Sequence, residues 1–258
     1  MKKILKHNGK IYSQDDLIEA LVKLGIQKGD IICSHSEIYN FGIPLLPIKD
    51  FLNALLEGLF EVIGKEGTLI MPTFTYSFCK NEIYDKLNSK CTVGVLNEFF
   101  RKQEGVKRTN DPIFSFAVKG AKEKLFLKNA ISCFGENSVF DELTKQNGKI
   151  ILFGGKHLGL TYIHHIEEAA KVSYRYHKIF KGTTIDENGI FKQEEISYFV
   201  RDLNQPCIIN KNKFLNICKK NKISKSLDFG GSEILLFETI PLFNFFLKKI
   251  KHNEKTML

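Results

Sequence analysis

Apolar residues at helical spacing alternate along the chain with short continuous apolar runs, and this alternation sets the first expectation of the fold. Leu17, Leu21 and Leu24 recur on one helix face between a capping Ser13 and a closing Gly25, which predicts a helix over 14–24. Asp30–Ser34 reads as a short buried strand with Cys33 in the core. Pro47 opens a second amphipathic helix through Val62, and Gly67–Met71 predicts another strand. Residues 74–92 are aromatic and polar without a period, so a long surface excursion is expected there. Leu96–Lys102 reads as helix, Phe114–Val118 as strand and Ser138–Gln146 as a short helix. A strand over 149–154 follows, ending in paired glycines.

From about Lys178 the pattern changes to short alternating runs, with Asn188-Gly189 as a hairpin turn signal, so this region is expected to be antiparallel. Ile234–Phe237 predicts one more strand, and a basic amphipathic helix starts near Pro241. Strands alternating with helices predict an α/β layered architecture, and residues 1–258 are read as one domain.

Composition narrows the function classes. The 258 residues are 43% hydrophobic, enough for a full core, yet no run of eighteen apolar residues appears and MKKILKHNGK lacks a secretory apolar stretch. A cytoplasmic protein without a membrane partner is expected, its last helix docking with a solvated lysine face. The six cysteines are scattered without a CxxC pair, so free thiols and no structural zinc are expected. Cys79 and Cys91, in the long excursion, leave a thiol nucleophile open. A formal charge of +9 attracts phosphates, but the lysines are dispersed and no nucleic-acid motif accompanies them. No nucleic-acid partner is expected; a preference for anionic ligands such as a phosphate-bearing cofactor is.

The densest chemistry lies in Thr161–Glu168, TYIHHIEE, just after the glycine-ended strand. On a helix His164 and Glu167 share one face, as do His165 and Glu168, so imidazole and carboxylate project together. That pairing suits proton transfer near neutral pH, and it also occurs as a plain surface ion pair.

Several short motifs fall in one order: CSHS at 33–36, GTLIMPTFT at 67–75, VGVLNEFFR at 93–101, VKRTNDPIFSFAVKG at 106–120, GENSVFDEL at 135–143, KIILFGG at 149–155 and TYIHHIEEAA at 161–170. The series resembles the antibiotic N-acetyltransferase family, typified by aminoglycoside 3-N-acetyltransferases, across roughly residues 15–245. The resemblance implies a three-layer α/β/α sandwich on a mixed sheet, with the antiparallel extension in the C-terminal third. It also implies transfer of an acetyl group from acetyl-CoA, the acyl donor, to a sugar amine, without a metal. The family's T-x-x-H-x-x-E motif lands on Thr161, His164 and Glu167, which implies His164 as the general base or catalytic histidine, with Glu167 orienting it or binding the amine. Its H-x-S motif lands less neatly on His35-Ser36.

The same resemblance groups His35, Ser36, Thr73, Arg108 and Ser115 as cofactor-binding candidates. Arg108 and nearby lysines are expected at the coenzyme A phosphates, and Thr73, Thr75, Ser36 or backbone amides at the strand ends as donors to the thioester oxygen. Asp111, Thr75, Glu136 and Glu168 are the acceptor-binding candidates. Asp111 stands where resistance enzymes of the family tend to carry a histidine before the proline, and the global positive charge is awkward for polycationic antibiotics. An amino sugar for surface glycans, free or as a nucleotide sugar, is therefore an acceptor on at least equal terms with an aminoglycoside. Two other readings stay open: a metal-dependent hydrolase using His164, His165 and Glu168, and a non-enzymatic basic binding protein. Oligomeric state is not readable from the sequence.

Overall fold

A computed structural model describes residues 2–155 and 159–258. The chain begins with a hairpin, β1 (Lys3–His7) and β2 (Lys10–Ser13), turned at Asn8 and Gly9, both with positive φ. Helix α1 (Gln14–Leu24) follows. Its Ser13 cap accepts from the Asp16 amide while the Asp16 carboxylate accepts from the Ser13 amide, and Gly25 closes it at φ 105°. Then come β3 (Ile31–Ser36), β4 (Ile43–Pro44), α2 (Ile48–Ile63), β5 (Thr68–Pro72), β6 (Tyr84–Asp85), α3 (Val95–Phe100), β7 (Lys107–Arg108) and β8 (Phe116–Gly120). The remainder is α4 (Val139–Lys145), β9 (Lys149–Phe153), α5 (Ile163–Ala170), β10 (Arg175–Ile185), β11 (Phe191–Arg201), α6 (Lys211–Lys220), β12 (Ser224–Phe229), β13 (Ser232–Glu238) and α7 (Thr239–His252).

Seven strands form the central sheet in the order β12-β13-β9-β3-β5-β8-β7. Its middle, β9-β3-β5, is parallel, and the outer pairs are antiparallel, so the sheet is mixed. Side chains alternate across it. Ile31, Cys33, Ile150 and Leu152 enter a core shared with α5, α6 and α7, whereas Ile32, Leu69, Ile151 and Phe153 enter a second core with α1 and α2. Continuous apolar runs in the central strands thus follow from burial on both faces, and the result is a three-layer α/β/α sandwich.

The antiparallel extension is the β10–β11 hairpin, eleven residues per strand, turned at Asp186 to Gly189. β10 starts at Arg175, three residues before the expected change of pattern. Strand β8 likewise starts at Phe116 and not at Phe114, because Asp111 folds the preceding residues into a turn. The N-terminal hairpin, α6 and β12 are elements that the hydrophobic pattern did not predict. All six cysteines are free. Among the described residues no helix is long and apolar enough to cross a membrane.

Candidate active site

Parallel strands β3 and β5 end side by side, and beyond them opens a cleft of about 510 Å³. Ser36 closes β3 there, donating to Asn97 Oδ1 at 2.6 Å, while Asn97 Nδ2 donates to the carbonyls of Pro72 (2.9 Å) and Val93 (2.8 Å). One buried amide therefore ties the ends of both strands to the start of α3. Gly94 sits at φ 95°, and a Cβ on it would lie 3.1 Å from the Ser36 carbonyl, so the loop's close approach to β3 requires glycine. Tyr76 lines the same cleft at φ 57°, a backbone conformation that bulky residues rarely adopt, with its ring braced edge-on by Phe74 and Phe114.

His35 also walls the cleft and is buried; its Nε2 has no hydrogen-bond partner among the described residues. Burial pushes its imidazole down to about 4, so it is neutral at physiological pH. Thr161 also lines the cleft. Its carbonyl accepts from the His164 amide at 3.0 Å, which starts the first turn of α5.

Helix α5 carries the His164–Glu167 pair. His164 Nδ1 lies 2.7 Å from Glu167 Oε2, and its side chain keeps a quarter of its surface exposed while the carboxylate is fully buried. Lys171 then ends the helix in the left-handed conformation, φ 55°. The chain doubles back, so that Tyr174 donates to Glu167 Oε1 at 2.9 Å and Arg175 Nε pairs with Oε2 at 2.7 Å. The Arg175 Nε contact is an ion pair without hydrogen-bond alignment, and Nη1 donates to the Phe199 carbonyl. Because Glu167 is the acceptor in this network, His164 carries its proton on Nδ1 and leaves a lone pair on Nε2. Burial lowers the His164 pKa below its usual value against the opposing pull of Glu167, so the lone pair is free near pH 7.

His165 goes elsewhere. Its Nδ1 donates to the Phe134 carbonyl at 2.6 Å and its ring packs on Tyr162 and Phe243, so the two histidines do not converge. Among the described residues no three His, Cys, Asp or Glu side chains are grouped to hold a metal.

Arg108, Thr73 and Ser115 form a separate buried network behind the end of β5. Arg108 Nε reaches the Thr73 and Ser115 hydroxyls, Nη2 donates to Thr73 O at 2.6 Å, and Nη1 donates to Ser89 O at 2.6 Å. Its guanidinium also covers the Tyr84 ring. Thr75 donates to Pro112 O at 2.8 Å, and Asp111 accepts from the amides of Ile113 and Phe114, its pKa raised by burial. Glu168 accepts from Ser132, and burial raises its pKa as well. Glu136 is exposed. The structure thus brings His164 and Glu167 together and places His35, Ser36 and Thr161 on one cleft, while the other candidates hold backbone or face away from it. Cys91 is buried and Cys79 exposed, and burial raises both thiols, which keeps them protonated.

Tyr174, Arg175 and Asn97 are site residues that the sequence reading passed over. The first two lie beyond the apparent end of the helical motif, and the reversal at Lys171, a non-glycine residue, gives no composition signal.

A family model described as aminoglycoside 3-N-acetyltransferase matches residues 35–251. Aminoglycoside N(3)-acetyltransferase IV of Salmonella sp is 29% identical over 163 residues, 62% of this chain and 60% of that enzyme, so the match spans less than two thirds of the relative. The YokD protein of Bacillus subtilis, described as aminoglycoside N(3')-acetyltransferase-like, is 25% identical over 188 residues, 64% of this chain and 68% of its own. Among solved structures, a binary complex of AAC-IIIb with CoASH superposes with a TM-score of 0.79 at 21% identity, covering 93% of this chain and 97% of that one. Sisomicin-bound AAC-VIa gives 0.80 at 17% identity, covering 93% and 98%. With its fold shared by these structures and its sequence matched over most of its length, the chain belongs to the aminoglycoside 3-N-acetyltransferase family.

Proposed function

We propose that this protein transfers the acetyl group of acetyl-CoA to a primary amine of an aminoglycoside or amino sugar, with His164 as general base and Glu167 holding it in register. The observation that carries this reading is the His164–Glu167 pair backed by Tyr174 and Arg175, on the turn that follows Thr161, which lines a cleft at the ends of parallel strands. Ligand sites favour such strand ends. Family membership, and relatives solved with CoASH and with sisomicin, support both substrates. A cytoplasmic location, where acetyl-CoA is made, goes with this reading.

A sugar amine is mostly protonated near pH 7 and cannot attack in that form. His164 Nε2 takes the proton, and the freed nitrogen lone pair forms the bond to the thioester carbonyl carbon. Glu167 stabilises the imidazolium that results, and its ties to Tyr174 and Arg175 keep the ring from turning. As the C–S bond breaks, His164 returns that proton to the departing sulfur and the acylated nitrogen sheds its second proton to water, giving amide, thiol and one net proton. The Thr161 hydroxyl lines the cleft one turn before His164 and makes no hydrogen bond among the described residues, which leaves it free to donate to the carbonyl oxygen as charge develops. His35 and Ser36 shape the donor's end of the slot. Apolar walls from Phe74, Tyr76 and Val93 suit a slender pantetheine arm.

The test is thiol release from acetyl-CoA with a panel of aminoglycosides and amino sugars. Acceptor-dependent release that disappears in His164→Ala is expected. No release with any amine, or full activity of the variant, would sink the reading.

A further inference from the structure

The surroundings of His164 are cationic, and that bears on the acceptor. In the β10–β11 register Arg175 lies directly opposite Arg201, and His177 directly opposite Phe199, so Arg175, His177 and Arg201 share one face of the hairpin. The His177 ring on Phe199, centroids 4.8 Å apart, confirms the facing. Like charges directly across a strand pair are destabilising unless something opposes them. Only half of this pair is opposed. Arg175 is buried against Glu167, whereas Arg201 is exposed and makes no hydrogen bond or ion pair among the described residues.

The nearby carboxylates are already engaged. Glu167 receives His164, Tyr174 and Arg175; Glu168 receives Ser132; Asp111 caps a backbone turn; Asp202 accepts from Asn204 and Gln205. On the cleft wall the one carboxylate among the described residues is the exposed Glu37. A polycationic antibiotic would meet guanidinium and imidazole beside the base, with no free buried acid to receive its ammonium groups. An anion would complete the arrangement.

We propose that the natural acceptor is an amino sugar carrying an anionic group, a phosphate ester or a carboxylate, and that Arg201 binds this group while the amine lies against His164. The proposal rests on the acetyltransferase reading and narrows its substrate class. Arg201 then acts as a specificity-determining residue, since a guanidinium grips phosphate or carboxylate in two-pronged fashion.

The experiment compares kcat/KM, by thiol release, for glucosamine, glucosamine 6-phosphate, a uridine-diphosphate amino sugar, 2-amino-2-deoxyglucuronate and sisomicin. At least one anionic acceptor is expected to exceed glucosamine by about tenfold or more, the scale of one charge-assisted contact. The phosphate and carboxylate arms tell the two anions apart. Arg201→Ala should erase the advantage through KM, and Arg201→Lys should restore part of it. Preference for sisomicin over every anionic acceptor overturns the proposal and leaves the transferase reading standing. A rise in the KM of acetyl-CoA in Arg201→Ala, with the acceptor preference intact, also overturns it by assigning the cation to the donor. Absence of thiol release with all five amines removes both readings.

Discussion

Two buried arginines lie near the candidate site, and they do opposite things with the same chemistry. Arg108 spends its donors on Thr73, Ser115 and Ser89, a network that closes on itself and fixes the end of β5. Arg175 backs Glu167, whose other contacts include His164, a ring with a quarter of its side chain open to solvent. The first network ends in protein; the second ends in an imidazole that is partly open to solvent. A motif arginine is therefore not a ligand-binding arginine by default, and what decides is whether its hydrogen bonds leave a terminus outside the core.

The sharpest way to break this contrast is to cut the open end. His164→Ala should lower kcat by about 10²–10⁴-fold, the usual worth of a positioned base, with little change in melting temperature because the ring is partly exposed. His165→Ala, which loses a core contact to Phe134 and Phe243, should do the reverse: lower stability and a kcat change under about tenfold. If kcat fell in the second variant and not the first, the roles assigned to the two histidines would have to be exchanged.

Cutting the closed network should instead cost fold. Arg108→Ala leaves the buried Thr73 carbonyl with the Ser115 hydroxyl alone and takes the donor from the part-buried Ser89 carbonyl, for a loss of roughly 2–3 kcal/mol in denaturant unfolding. A variant of unchanged stability with acetyl-CoA affinity reduced tenfold would show that Arg108 reaches the donor's phosphates after all, and the contrast would fail.

His35 offers an effect of similar size with a defined sign. Its pKa falls from 6.5 in the unfolded chain to about 4 in the fold, so the unfolded state takes up its proton first as pH drops. The stability it contributes is full above pH 6.5 and is lost as pH falls toward 4. A non-titrating His35→Gln should be spared about 3 kcal/mol of that acid-induced loss, measured by urea unfolding at several pH values. Parallel pH profiles for the two proteins would contradict the burial of a neutral imidazole. Smallest of all, Tyr174→Phe removes one hydrogen bond to Glu167 and should cost about 1 kcal/mol, with kcat lowered a few-fold. A larger fall in kcat than His164→Ala gives would mean that Tyr174 itself meets the substrates.

Which parts of this molecule were legible follows from range. Helix α1 could be read from Ser13 to Gly25 because cap, apolar stripe and stop are all local, and α2, β5 and β9 were readable for the same reason. The N-terminal hairpin carried an Asn8-Gly9 turn as plain as Asn188-Gly189, but its four- and five-residue strands offer little alternation, and lysines break what there is. Helix α6 is lysine- and asparagine-rich, buries only Phe214 and Cys218, and so shows almost no apolar period. In the site, the spacing of His164 and Glu167 made their contact readable. That Thr73 and Ser115 turn on Arg108 depends on β5 pairing with β8 across more than forty residues, which no local pattern reports.

His164, Glu167 and the two groups that hold the carboxylate all fall between His164 and Arg175, whereas the cleft is lined by the ends of β3 and β5 and by loops far away in sequence, joined by Gly159 and Thr161. Under the proposed mechanism, proton handling is thus encoded in one contiguous segment of chain. A recombination breakpoint outside residues 161–175 would carry that segment over whole, whereas an exchange of the β10–β11 hairpin, which begins at Arg175, would cut into it.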